Sequence, residues 1–128
     1  MTIKKEVLTC AKAPKAVGPY SVAIRSGDFL FLSGQLGLDP ASGDFVTGGV
    51  EEQTRQALLN IQNVLKENGA DLSMVIKTTV FLNDINDFAK MNAVYATFFE
   101  VDPPARSAVQ VAALPKLGLV EIEVIARL

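Results

Sequence analysis

The sequence predicts an α+β domain in which one sheet is covered on one face by two helices. Three observations lead there. Two stretches, 50–68 and 84–99, carry apolar residues at helical spacing, and short β-rich runs lie before, between and after them. The resulting order is strands, helix, strand, helix, two strands. The chain has 128 residues, 49% of them hydrophobic and 20% charged, which suits one compact domain over 1–128. A chain of this size removes roughly two thirds of its unfolded surface from water, so a single core suffices without disulfides or a structural metal.

Taken in order, Glu6 to Cys10 reads as a short strand, and Ala13 to Pro19 as a loop punctuated by Pro and Gly. Tyr20 to Arg25 and Phe29 to Ser33 flank Ser26-Gly27-Asp28, a turn that predicts an antiparallel pair. Gly37 to Gly49 contains Asp39-Pro40 and four Gly, which suits a surface excursion with a short strand around Phe45. From Val50 to Asn68, the residues Ala57, Leu58, Ile61, Val64 and Leu65 mark one face of an amphipathic helix, with Gly69 as its stop. Met74 to Leu82 is apolar on both alternating faces and predicts an interior strand covered on both sides.

Asp84 is placed to cap the second helix, and Asp87 favours the positive end of its dipole. Ile85, Phe88, Met91, Val94, Tyr95, Phe98 and Phe99 supply the buried stripe, and Pro103-Pro104 ends the helix. Ala105 to Ala113 and Leu119 to Leu128, joined through Leu114 to Gly118, read as a hairpin. Two helices cover only one face of a sheet. Strands this apolar argue that a second subunit, rather than water, covers the other.

Lys and Arg total 12 against 14 Asp and Glu, a net charge of −2, which disfavours a strongly basic nucleic-acid binder. There is no His, so Ser-His-Asp and Cys-His arrangements and the commonest metal ligand are missing. Cys10 is the only thiol and closes no bridge within the chain, which fits a reducing compartment. Met1 to Lys5 carry charge with no apolar core of signal-peptide length behind them, and the longest apolar runs, such as Phe29 to Leu32, are too short to span a membrane. A cytoplasmic location is expected.

Polar residues set into apolar strands are the candidates for chemistry, because burying them costs free energy unless a partner or ligand satisfies them. Arg106 opens a strand of small residues, sharing one side with Ala108 and Gln110. There a guanidinium has room to meet a carboxylate through two parallel hydrogen bonds; it also fits an Arg paired to an internal acid or facing water. Glu121 and Glu123 share a strand face roughly 6 to 7 Å apart, where proximity and burial would raise a carboxyl pKa toward proton-transfer range; a solvated face is the plainer alternative. The register of this hairpin decides whether Glu121 shares a face with Arg106, and its turn is too long for the sequence to fix it. Tyr20, behind Gly18-Pro19, reads as either a ligand contact or a core aromatic. Gly34, in Ser33-Gly34-Gln35, reads as a place of close approach or a bulge. Lys77 invites a Schiff-base role, but its mid-strand position favours a paired or snorkelling Lys. Cys10 reads as an ordinary small strand residue, and the Gly of the second loop form no phosphate-binding pattern.

Taken together, Gly18-Pro19-Tyr20-Ser21, Ser33-Gly34-Gln35, Lys77-Thr78-Thr79-Val80-Phe81, Asn86-Asp87-Phe88-Ala89, Pro104-Ala105-Arg106-Ser107, Leu114-Pro115-Lys116 and Val120-Glu121-Ile122-Glu123 closely resemble the RidA/YjgF family of reactive-intermediate deaminases. The resemblance runs over nearly the entire chain. It implies chorismate-mutase-like protomers in a homotrimer, with sheets packed inward, helices outward and one ligand cleft at each subunit boundary. It also implies hydrolysis of enamines and imines such as 2-aminoacrylate and 2-aminocrotonate to 2-keto acids and ammonia, with no cofactor or metal and no nucleic-acid or membrane partner.

On matching positions, Arg106 would fix the substrate carboxylate, helped by backbone N–H groups near Gly34 and at Ala108. Glu121 would move the protons. Tyr20, from the neighbouring subunit, and Ser33 would line the cleft, and Asn92 matches a recurrent helix position. One departure is Ala108, where the family commonly has Cys. Two other functions share these residues: a small-ligand-binding regulatory module without turnover, and the translation inhibitor or endoribonuclease activity attached to some relatives. The acidic balance and the missing His weaken the last of these.

Overall fold

A computed structural model describes residues 4–128; the Met1–Lys5 segment, read above as lacking a signal-peptide core, falls partly outside them. Six strands, β1 (Glu6–Leu8), β2 (Ala23–Ser26), β3 (Phe29–Leu36), β4 (Val75–Leu82), β5 (Ala105–Gln110) and β6 (Val120–Arg127), form one sheet with two helices, α1 (Gly49–Glu67) and α2 (Phe88–Phe98). The strand order is β1-β2-β3-β6-β4-β5. All neighbours are antiparallel except β4 and β5, which are parallel.

This order explains why both helices lie on one face. β3 and β4 are each antiparallel to β6, so they run in the same direction, and α1 is the crossover between them. α2 is the crossover from β4 to β5. Both crossovers step the same way across the sheet, and connections of one hand that do so fall on the same side. Leu30, Leu32, Val80, Leu82, Ile122 and Val124 from the strands pack there against Leu58, Ile61, Leu65 and Met91 from the helices. The six strands and two helices are the α+β architecture expected from the sequence.

The hairpin expected between the last two strands does not form. β5 and β6 lie on opposite sides of β4 and share no ladder. The segment between them crosses the end of β4, where Val111 N–H donates to Leu82 O at 2.9 Å and Asn83 N–H donates to Leu119 O at 3.0 Å. Beside β5 as a hairpin partner, β6 would be an edge strand. Inserted between β3 and β4 it gains two ladders, and Val120, Ile122, Val124 and Ala126 are all buried.

Four further expectations are corrected. β4 is covered by the helices through Val75, Thr78, Val80 and Leu82 but not on its other side, where Thr79 and Phe81 are only half-buried. Asp84 caps a 3-10 turn at Ile85–Asp87, accepting from Asn86 N–H at 2.9 Å, so Asp87 stands at the head of α2 without a side-chain cap bond, and Ile85 stays exposed. α2 ends at Phe98, before Pro103, and the chain turns through Asp102 at φ 47°. Cys10 likewise lies just past β1 rather than within it.

Other local readings hold. Ser26 pairs with Phe29 across Gly27-Asp28, and Gly27 adopts the positive φ of 59° that this two-residue turn requires. The strand expected around Phe45 is a single bridge between Leu38 and Phe45. Polar residues on α1 hold the loops around it: Asn60 Nδ2 donates to Leu36 O and Leu38 O, and Gln53 Oε1 accepts from Leu119 N–H. Among the described residues, no helix is long and apolar enough to cross a membrane.

Candidate active site

The chemistry-bearing residues fall into two groups. The first surrounds a cavity of about 400 Å³ on the sheet face away from the helices, lined by Tyr20, Ser33, Gly34 and Glu121 together with Val22 and Lys116. β3 carries a bulge there: Leu32 pairs with Val124 and Gln35 with Ile122, so Ser33 and Gly34 together face Glu123. Gly34 is thus both a bulge and a point of close approach. A Cβ on it would lie 2.8 Å from Glu121 Cδ and 3.1 Å from Oε1, so only glycine lets the carboxyl rest against this backbone. Burial pushes the Glu121 carboxyl above the ordinary carboxylate range, and the neighbouring Glu123 adds to the rise.

Ser33 is tied down on both its groups. Its N–H donates to Val22 O at 3.0 Å and its Oγ to Ser21 O at 2.6 Å, leaving the hydroxyl oxygen as an acceptor toward the cavity. Tyr20 is 47% exposed, so it is no core aromatic; its hydroxyl accepts from Val17 N–H at 3.3 Å. Lys15 and Lys116 at the rim are lining residues that the sequence did not mark as binding. The backbone of Lys116 and Leu117 is left-handed, at φ 56° and 61°, strain of a kind that gathers at functional loops.

The second group lies on the helix side of the edge strand β5. Arg106 pairs in register with buried Thr78, and half-buried Ala108 with buried Val80, so both residues face α2. Arg106 Nη1 donates to Asn92 Oδ1 at 2.7 Å. Its Cζ stands 4.8 Å from the Tyr95 ring centroid and 5.4 Å from that of Phe88. Among the described residues no carboxylate lies within 4.0 Å of it. The pairing with an internal acid that the sequence also allowed is thus not found among the described residues, and Arg106 opens onto a cleft of about 360 Å³ with Asn92, Pro103 and Pro104.

The two groups do not meet within one chain. Arg106 pairs with Thr78 and Glu121 with Phe81, three residues apart on one strand, so their side chains leave opposite faces of the sheet. The structure therefore brings Tyr20, Ser33, Gly34 and Glu121 together, and separately Arg106, Asn92 and Ala108. Phe88 and Tyr95 were expected only as part of a buried stripe. The signal for their second role was their spacing with Asn92, at i, i+4 and i+7, which puts all three on one helix face. Lys77 has the structural part expected of it: its Nζ donates to Ser107 Oγ at 3.1 Å. Burial pushes the Cys10 thiol up to about 11, with a hydrogen bond to Glu67 adding to the rise, which suits an inert thiol.

Comparison with known proteins places the chain and its fold. The family model described as Endoribonuclease L-PSP matches residues 10–128. A RutC family protein of Pyrococcus horikoshii is 54% identical over 95% of this chain and 97% of its own length. The 2-iminobutanoate/2-iminopropanoate deaminase of Bos taurus is 53% identical over 98% of this chain and 91% of its own. Among solved structures, RidA from an Antarctic Psychrobacter superposes with a TM-score of 0.93 at 42% identity, over 96% of this chain and 99% of the other. TdcF of E. coli with bound serine gives 0.92 at 39%, with coverages of 96% and 99%. Matched over residues 10–128 and half identical to these relatives over nearly its whole length, this chain belongs to the Endoribonuclease L-PSP family, the RidA/YjgF proteins.

Proposed function

We propose that this chain is a hydrolytic deaminase of reactive enamine and imine acids, of the 2-aminoacrylate and 2-aminocrotonate type, releasing 2-keto acids and ammonia. The observation that carries the reading is the likeness, at half identity or better over nearly the whole chain, to relatives named for this activity. The geometry supports it with a guanidinium that, among the described residues, has no carboxylate within 4.0 Å, and with a carboxyl whose pKa is raised by burial.

The two halves complete one another across copies of the chain. In this reading three protomers pack their open sheet faces inward, so that Arg106, Asn92 and the Ala108 N–H of one meet Tyr20, Ser33, Gly34 and Glu121 of the next. Val7, Phe29, Phe31 and Val109, at 58%, 38%, 44% and 45% exposure, support an open face made for association.

The chemistry follows from the residues. Arg106 holds the carboxylate, with backbone N–H groups near Gly34 and at Ala108 assisting. Glu121 takes a proton from water as its oxygen bonds to the imine carbon and the C=N π pair moves to nitrogen. Glu121 then returns the proton to that nitrogen, giving a carbinolamine. Glu121 next takes the hydroxyl proton and passes it to the amino nitrogen as the C–N bond breaks, so that the oxygen closes to a carbonyl and ammonia leaves. General acid–base assistance of this kind contributes about 10² to 10⁴ in rate, useful for an imine that already hydrolyses in water. No cofactor enters these steps, and the setting is the cytoplasm, where pyridoxal-phosphate enzymes release such intermediates.

Purified protein added to a serine or threonine dehydratase is expected to speed 2-keto acid release and lower semicarbazone trapping of the imine. Unchanged trapping overturns the reading. Binding without turnover is then what remains, a second reading favoured by the serine bound in the TdcF relative. The ribonuclease activity in the family's description has less support here, with no His in 128 residues and a net charge of −2.

A further inference from the structure

We propose that Tyr95 is a positioning residue for carboxylate recognition: with Phe88 it forms an aromatic bed that holds the Arg106 guanidinium in place before ligand arrives, and Thr78 anchors that bed. The inference rests on the reading of Arg106 as the carboxylate anchor.

Arg106 sits on an edge strand, where a long side chain would sample many rotamers. That freedom would be lost at each binding event and would weaken it. Here it is lost beforehand. The guanidinium lies over two rings, at 4.8 and 5.4 Å, and one nitrogen is held by Asn92. A cation–ring contact takes up no N–H, so beyond the one given to Asn92 the guanidinium keeps donors for a carboxylate.

The presence of a tyrosine rather than a phenylalanine has its own reason. Tyr95 is only 6% exposed, and its hydroxyl lies 2.8 Å from Thr78 Oγ1. Thr78 is fully buried and is the β4 residue that pairs with Arg106. The three residues close a triangle. The strand neighbour of the arginine fixes the ring on which the arginine lies, and the ring contact between Tyr95 and Phe99, centroids 4.8 Å apart, supports it from behind.

The test compares Tyr95→Leu, Tyr95→Phe and Phe88→Leu for affinity toward 2-oxobutanoate, for kcat and KM on the imine, and for the NMR shift of the Arg106 δ-methylene protons, which ring currents move upfield. Tyr95→Leu is expected to weaken 2-oxobutanoate binding and raise KM about 10-fold each with kcat nearly unchanged, the pattern of lost uniform binding. Tyr95→Phe, which keeps the ring, should recover to within about 3-fold of the parent, since the cation–ring contact survives. Phe88→Leu, at a half-buried site, carries the same test if Tyr95→Leu does not fold, with the smaller expected loss of about 3-fold. Parent-like affinity in the leucine variants, or a fall in kcat at unchanged KM, overturns the proposal. If the parent neither binds 2-oxobutanoate nor hydrolyses the imine, the function reading fails. The upfield shift and its loss in Tyr95→Leu then still decide whether the ring holds the arginine.

Discussion

The Glu121 carboxyl rests against the backbone of Gly34 so closely that a single added carbon would stand 2.8 Å from its carboxyl carbon. The bulge in β3 and the absence of a side chain at Gly34 together give this acid its place.

Gly34→Ala is accordingly expected to fold, because φ at this residue is not left-handed, but to push Glu121 aside. Displacing a reacting group by about 1 Å costs roughly 10²-fold in rate, so kcat should fall by about that factor while 2-oxobutanoate still binds. Steady-state kinetics beside calorimetry would check this.

Arg106→Ala should lower kcat/KM by about 10²-fold or more and remove 2-oxo acid binding, the loss expected of a bidentate charge-assisted contact. Arg106→Lys should recover only part of it, since an ammonium cannot make the fork. Full activity in Arg106→Ala would remove the anchor from the mechanism.

The elevated Glu121 pKa sets two pH dependences. As a base it must be ionised, so kcat/KM should fall as pH drops through the raised value, and Glu123→Gln, which removes the neighbouring charge, should move that fall to lower pH. For stability the sign is opposite to that of a salt-bridged acid. Between the unfolded carboxyl pKa, about 4.3, and the raised folded value, the native state binds more protons, so this group's contribution declines as pH rises. Glu121→Gln should therefore have a higher Tm than the parent near pH 8, a difference that closes below pH ~4. It should keep 2-oxo acid binding while losing about 10² to 10⁴ in kcat.

Because Arg106 and Glu121 leave opposite faces, two inactive variants should rescue each other. Co-expressed Arg106→Ala and Glu121→Gln chains that mix at random would place both native residues at about a quarter of the interfacial sites, and about a quarter of parental activity should return. No recovery would mean that the two residues act within one chain or not together. Light scattering should give three protomers, and Phe31→Glu, which puts charge on the open face, should give a folded monomer without turnover.

Much of this was readable along the chain because it depends on near neighbours. The period of Ala57, Leu58, Ile61, Val64 and Leu65 fixed α1, and Gly27-Asp28 fixed the first hairpin, since apolar spacing and the freedom of glycine act within a few residues. The residue types of the site were legible too: a charged Arg and a Glu set among small and apolar strand residues. Where those residues stand relative to one another was decided only by tertiary structure. Whether β6 pairs with β5 or slips between β3 and β4 turns on how much surface each choice buries, and a two-sided place in the sheet wins over an edge. That choice, made by contacts distant in sequence, sends Arg106 and Glu121 to opposite faces of the sheet.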